Sequence, residues 1–132
     1  MNEPHNISAQ DWFDKADADL FGAVLLAAHL PDMKDLVTYH CQQCAEKYLK
    51  GLLFAENSTF PKTHSLLALL DILTDFVPVS DEMYDKAGLL QRYAVDVRYP
   101  QARYKPELVD AQKAIDYALD FKNWALDQIQ ST

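Results

Sequence analysis

Lys34-Asp35-Leu36-Val37-Thr38-Tyr39-His40-Cys41-Gln42-Gln43-Cys44-Ala45-Glu46-Lys47-Tyr48-Leu49-Lys50-Gly51-Leu52-Leu53-Phe54-Ala55-Glu56 is the run whose period decides the fold class. Val37, Cys41, Cys44, Ala45, Tyr48, Leu52 and Ala55 recur at helical spacing and form one apolar stripe. Tyr39, Gln43, Glu46, Lys47 and Lys50 fall on the opposite side, which reads as a solvated face. Pro31-Asp32 breaks the chain before this run, and Asn57-Ser58-Thr59-Phe60-Pro61 breaks it after. The pattern predicts a long helix over 34–56 that packs by one face.

Working outward, the same period returns on both sides. Ser8 and Asp11 make a capping-box pair, and Trp12, Ala16, Leu20, Ala23, Val24, Ala27 and Leu30 follow as a first helical stripe. Phe21, Leu25 and Leu26 make that helix apolar on a second side, which calls for a second cover, a partner subunit. Downstream, Thr63 is the expected cap of a short third helix carrying Leu66, Leu67, Leu70 and Leu73 and ending near Phe76. Ser80 caps a fourth, with Asp81 and Glu82 at its positive end; it fades over Ala94 to Val97. Pro106 opens a fifth that runs to about Gln130, with Ala111, Ala114, Ala118, Phe121 and Ala125 as its stripe. The expectation is an all-α, five-helix up-and-down bundle, one domain over residues 1–132.

Composition narrows the function classes. The chain is 49% hydrophobic and 24% charged, with a net charge of −8. That surplus of carboxylates repels phosphate backbones and argues against general DNA binding. The apolar stretch from Phe21 to Leu30 is too short to span a bilayer, and the polar opening residues do not form a leader, so no membrane association and a cytoplasmic location are expected. Cys41 and Cys44 have redox or metal spacing, with His40 beside them, but no second pair completes a zinc site. They read as inert core thiols, and neither a metal nor a cofactor is expected.

All three arginines fall within Gln91 to Tyr104, and each precedes a tyrosine: Arg92-Tyr93, Arg98-Tyr99 and Arg103-Tyr104. Guanidinium forks fit phosphate, and phenol rings stack on bases, so the segment suits a nucleotide or short single-stranded RNA. The plainer alternative is that the arginines pair with carboxylates such as Asp96 while the tyrosines plug the bundle end. Lys47 and Lys50 would complete an anion pocket if the segment folds over them; Glu46 and Lys50 have the spacing of a surface ion pair. His64 follows Thr63 at a helix start, which suits a structural role, with an accessory role at the site as the alternative.

Trp12 through Leu20, Cys41 through Lys50, Thr63-His64-Ser65-Leu66 and Arg98-Tyr99-Pro100 together resemble the HEPN domain family. Its second helix commonly reads Gln-Ala-Ala-Glu-Lys-x-x-Lys, and Gln43 to Lys50 follows it, with Cys44 at the first alanine. The resemblance implies a five-helix domain, often dimeric, frequently partnered with a minimal nucleotidyltransferase and associated with nucleotide or RNA binding. Some members are ribonuclease toxins that carry an Arg followed four to six residues later by a His. Here His64 is the last histidine and precedes every arginine, so no catalytic residue is carried over. The leading expectation is a homodimeric nucleotide-binding or accessory module. The rivals are an RNA-cleaving enzyme with a substitute pair, Tyr99 or His64 with Arg98, and a purely structural interaction protein.

Overall fold

Serine side chains cap the start of three of the five helices. The computed structural model describes residues 7–96 and 105–130. Helix α1 (Ala9–His29) opens on Ser8, whose Oγ accepts from the Asp11 N–H at 3.3 Å while the Asp11 carboxylate accepts from the Ser8 N–H at 2.7 Å. Helix α2 (Lys34–Ala55) ends by turning Asn57 into the left-handed region, at φ 55°. The Ser58 N–H then reaches the Leu53 carbonyl at 3.0 Å and the Asn57 N–H the Phe54 carbonyl at 3.1 Å, which closes the helix end.

Helix α3 (Leu66–Leu73) is capped by Ser65, whose Oγ accepts from the Ala68 N–H at 3.1 Å. Thr63, the expected cap, instead accepts from the Ser65 N–H at 3.0 Å and shapes the entering turn. The helix therefore starts two residues later than the sequence suggests. Ser80 caps α4 (Asp81–Asp96), accepting from the Met83 N–H at 3.2 Å. At the start of α5 (Leu108–Gln130) the Asp110 carboxylate accepts from the Glu107 N–H at 2.8 Å. No strand occurs among the described residues, and the architecture is the expected five-helix bundle.

Helix α2 is the centre. It packs against each of the other four helices, and thirteen of its residues are buried, from Val37 to Leu53. The α5 stripe Ala111, Ala114, Ala118, Phe121 and Ala125 is buried as read from its period. On α1 the buried line is Phe13, Ala16, Leu20 and Ala23; Trp12 is half-buried, and Val24 and Leu30 are exposed, as is Ala55 of α2. The closest approach of α1 and α2 falls at Gly51, where a Cβ would lie 2.5 Å from Phe13 Cε1 and 2.9 Å from Trp12 Cβ. Phe13 has little room to move, because it stacks on Tyr48 with ring centres 5.1 Å apart. Among the described residues no helix is long and apolar enough to cross a membrane.

Candidate functional site

Thr38, Gln42, Glu46 and Lys50 recur every four residues along α2 and are all buried. The face read as solvated is in fact partly covered: Glu46 and Lys50 are buried, and Tyr39, Gln43 and Lys47 are half-buried. Buried charge is tolerated only when paired, and the pairing converges on Glu46. Its Oε2 accepts from Lys50 Nζ at 3.2 Å, and its Oε1 lies 3.0 Å from His64 Nδ1 and 3.4 Å from Gln42 Nε2. Gln42 Nε2 also donates to the His64 carbonyl at 3.0 Å, and Gln43 Nε2 donates to Gln42 Oε1 at 2.7 Å. Lys50 Nζ sits 5.9 Å from the centre of the Trp12 ring. The Glu46–Lys50 spacing read from sequence is a real ion pair, but an interior one.

The Glu46 side chain is 4% exposed and that of His64 66%. A carboxylate only accepts, so Nδ1 of His64 carries the proton and Nε2 is turned outward. That is the arrangement of an oriented acid–base imidazole. No hydroxyl or thiol of the described residues is hydrogen-bonded to it. On the α3 side, Gln91 Oε1 accepts from Ser65 Oγ at 3.2 Å and from the Leu67 N–H at 3.3 Å, tying α4 to the same turn.

Two further carboxylates are shared in the same manner. Asp19 takes His40 Nδ1 at 2.9 Å together with Lys47 Nζ, and Asp17 takes the Tyr48 hydroxyl together with Lys122 Nζ at 3.0 Å. Lys47 is thus engaged with α1, and Lys50 with Glu46; the two do not form an open cationic face. Burial pushes the Tyr48 phenol well above its ordinary value, and its bond to Asp17 adds to the rise. Burial also pushes the Cys41 thiol up to about 12, with the Asp19 charge assisting, and drives Cys44 higher for the same first reason. Both thiols are free and fully buried, on the stripe where the sequence put them. The described residues hold no group of His, Cys, Asp and Glu able to bind a metal ion.

The arginine segment divides. Arg92 is exposed on α4 at the edge of a cleft of about 610 Å³, whose walls include Leu67, Tyr84, Lys86, Gly88 and Tyr117. Lys86 in that cleft is held by Glu82 at 3.1 Å and Asp120 at 2.8 Å, and lies 5.6 Å from the Tyr117 ring centre. Tyr93, expected to stack on a ligand, is fully buried, and its hydroxyl reaches Asp110 Oδ1 at 3.3 Å. The ring faces the core and has no surface to offer. Arg98, Tyr99, Arg103 and Tyr104 lie outside the described residues.

Asp17, Asp19 and Asp120 were not picked out from sequence. The signal was present in part, since Asp17 and Asp19 flank the buried line of α1 and so point to its two neighbours.

A HEPN domain model matches residues 9–129, nearly the whole described chain. The protein belongs to the HEPN domain family. Three solved structures share its fold. A Thermus thermophilus protein is 27% identical, at a TM-score of 0.79, with 91% of this chain and 97% of that one covered. An archaeal HEPN homologue is 26% identical, at a TM-score of 0.76, with 94% and 99% covered. A HEPN domain protein of Thermotoga maritima is 22% identical, at a TM-score of 0.77, with 92% and 99% covered, and at that identity it speaks to the fold alone. No curated protein matches the chain.

Proposed function

We propose that this HEPN domain is a non-catalytic module, a homodimer that holds a nucleotide or the phosphates of a short RNA and serves a minimal nucleotidyltransferase. The observation that carries the reading is the contrast between Arg92 and the buried and half-buried lysines. Lys47, Lys50, Lys86 and Lys122 are each held by carboxylates of the chain, whereas Arg92 stands exposed at the edge of an open cleft that Tyr84 and Tyr117 also line. In a chain of net charge −8, an exposed guanidinium at a cleft walled in part by two tyrosines is suited to a small anion with an aromatic base. Arg98 and Arg103 follow in the same stretch, with Tyr99 and Tyr104, and would extend the contact. Glu46 and His64 hold the turn ahead of α3 in place beside Gln91, one residue from Arg92.

Titration calorimetry with mononucleotides and short RNA at fixed salt tests the reading. Arg92→Ala and Arg98→Ala should each weaken binding roughly ten- to a hundredfold, the worth of a charge-assisted hydrogen bond. Absence of binding by the unaltered protein across the panel removes the ligand from the proposal. Co-purification of the native chain tests the nucleotidyltransferase partner separately.

A second reading has one observation behind it, the outward Nε2 of His64 held by buried Glu46. RNA cleavage through this substitute acid–base pair requires activity on labelled RNA that His64→Gln abolishes without loss of the fold.

A further inference from the structure

The chain has four histidines, and two of them rest Nδ1 on a carboxylate: His40 on Asp19 at 2.9 Å and His64 on Glu46 at 3.0 Å. Both carboxylates are shared with a lysine. The settings differ. His40 lies past the first turn of α2, with its side chain 32% exposed. The His64 side chain is twice as exposed, at 66%, and stands one residue ahead of Ser65, the cap of α3. His29, at the end of α1, is exposed as well.

A carboxylate on Nδ1 fixes the tautomer and raises the basicity of the other ring nitrogen. Nε2 of His64 therefore carries a lone pair towards solvent. When that lone pair bonds to an electrophile the ring becomes cationic, and its Nδ1–H still faces the Glu46 carboxylate. The surroundings choose the electrophile. The positive end of α3 favours an anion beside this turn, and Lys62, two residues earlier, is exposed. An acyl group brings no charge for that end to hold, whereas a phosphoryl group brings two.

The donor follows from what one imidazole can do. Among the described residues no hydroxyl or thiol is hydrogen-bonded to the ring, so His64 can attack but has no companion to protonate a leaving group. A donor whose leaving nitrogen is already protonated needs none. We propose that His64 is a phosphoryl-acceptor site, at which Nε2 takes the phosphoryl group of a phosphoramidate. The Nε2 lone pair forms a new N–P bond while the P–N bond of the donor breaks. The electron pair of that bond leaves on the donor's ammonium nitrogen, which departs as neutral ammonia or amine. No proton is transferred, phosphorus keeps its oxidation state, and the ring ends cationic beside a dianionic phosphoryl group. The site goes beyond the nucleotide reading. It shares an imidazole with the cleavage reading but needs no second acid–base group.

Potassium phosphoramidate is the probe, with peptide mapping of the folded chain over time. His64 should label before the other histidines, roughly tenfold or more faster than His29 and His40. Phosphorus NMR should place the group on Nε2, and the mark should survive alkali and be lost in acid. In denaturant the histidines should label alike. H64Q should remove the fast label and leave His29 and His40 unchanged. E46Q keeps an acceptor but loses the charge, and should slow His64 about tenfold. E46Q/K50M, which leaves no stranded ammonium, should slow it as much, with the helical circular-dichroism band confirming the fold. A His64 no faster than His29 or His40, a phosphate on Nδ1, or a folded E46Q/K50M that labels at the unaltered rate overturns the proposal. Cleavage of labelled RNA that H64Q abolishes, without fast phosphorylation, overturns it in favour of the cleavage reading.

Discussion

Replacing Glu46 by alanine strands the Lys50 ammonium. The Lys50 side chain is 10% exposed, so water can reach it only in part, and Glu46 is its sole anionic partner among the described residues. Removing one member of a buried ion pair typically costs about 3–5 kcal/mol, because the remaining charge stays desolvated. The Trp12 face offsets about 0.5–1 kcal/mol of that through its attraction for the ammonium. Loss of the acceptor for His64 Nδ1 and Gln42 Nε2 adds back a similar amount. The net expectation is about 3–5 kcal/mol, on the order of 10–20 °C in Tm for a domain of this size. Urea unfolding followed at the helical circular-dichroism band measures it, on Glu46→Ala, Lys50→Met and the double variant. Lys50→Met alone should cost less than Glu46→Ala, since its carboxylate partner keeps His64 and Gln42. The double variant should recover part of the loss, because it removes both desolvated charges, while the space left by the shorter alanine keeps the rest. A cost below about 1 kcal/mol for Glu46→Ala, or a double variant no more stable than it, refutes the account of this network.

Of the three helical glycines, Gly51 and Gly88 should answer alanine with opposite signs. Gly51→Ala should destabilise by about 1–2 kcal/mol, the overpacking against Phe13 exceeding the gain in helix propensity, whereas Gly88→Ala, with open space around its Cβ, should stabilise by about 0.5–1 kcal/mol in the same urea assay. Ellman's reagent should find neither thiol in the folded protein and both in denaturant, because burial disfavours the thiolate at Cys41 and Cys44. Stability should be full below about pH 9 and fall through pH 9–12. Cys41, Cys44, Tyr48 and Lys86 all have folded values above their ordinary ones, so the folded chain keeps protons that the unfolded chain has already released. Tyr48→Phe should flatten that fall, and an unchanged slope in an alkaline titration of the unfolding midpoint would assign it elsewhere.

The helices were legible because their evidence is local: capping hydroxyls, proline breaks and an apolar residue every three or four positions. The α5 alanine stripe needed nothing more. The Glu46–Lys50 face was misread because period reports where the greasy side of a helix lies, not how many neighbours surround it. A helix covered on more than one side must bury polar residues too, and i,i+4 pairing is how it does so. Thr63 and Ser65 are both competent caps, and only the backbone decides which oxygen meets an orphan N–H. The Arg-Tyr repeat misled at Arg92-Tyr93 for a geometric reason. Adjacent residues on a helix point about 100° apart, so one can face a ligand only if the other turns towards something else. Here Tyr93 turned to the core and Asp110.

The central place of α2 has a consequence for how the chain is made. The α1–α2 hairpin is complete early in synthesis, and its own contacts need nothing translated after α2. The groove that receives Ala114, Ala118 and Phe121 has no occupant until α5 has been translated. Across that interval a nascent chain shows the ribosome surface a half-lined trough along α2, the sort of transient surface that chaperones shield. Slowing elongation after α2 should therefore lower the soluble yield of this protein, while slowing it after α5 should not.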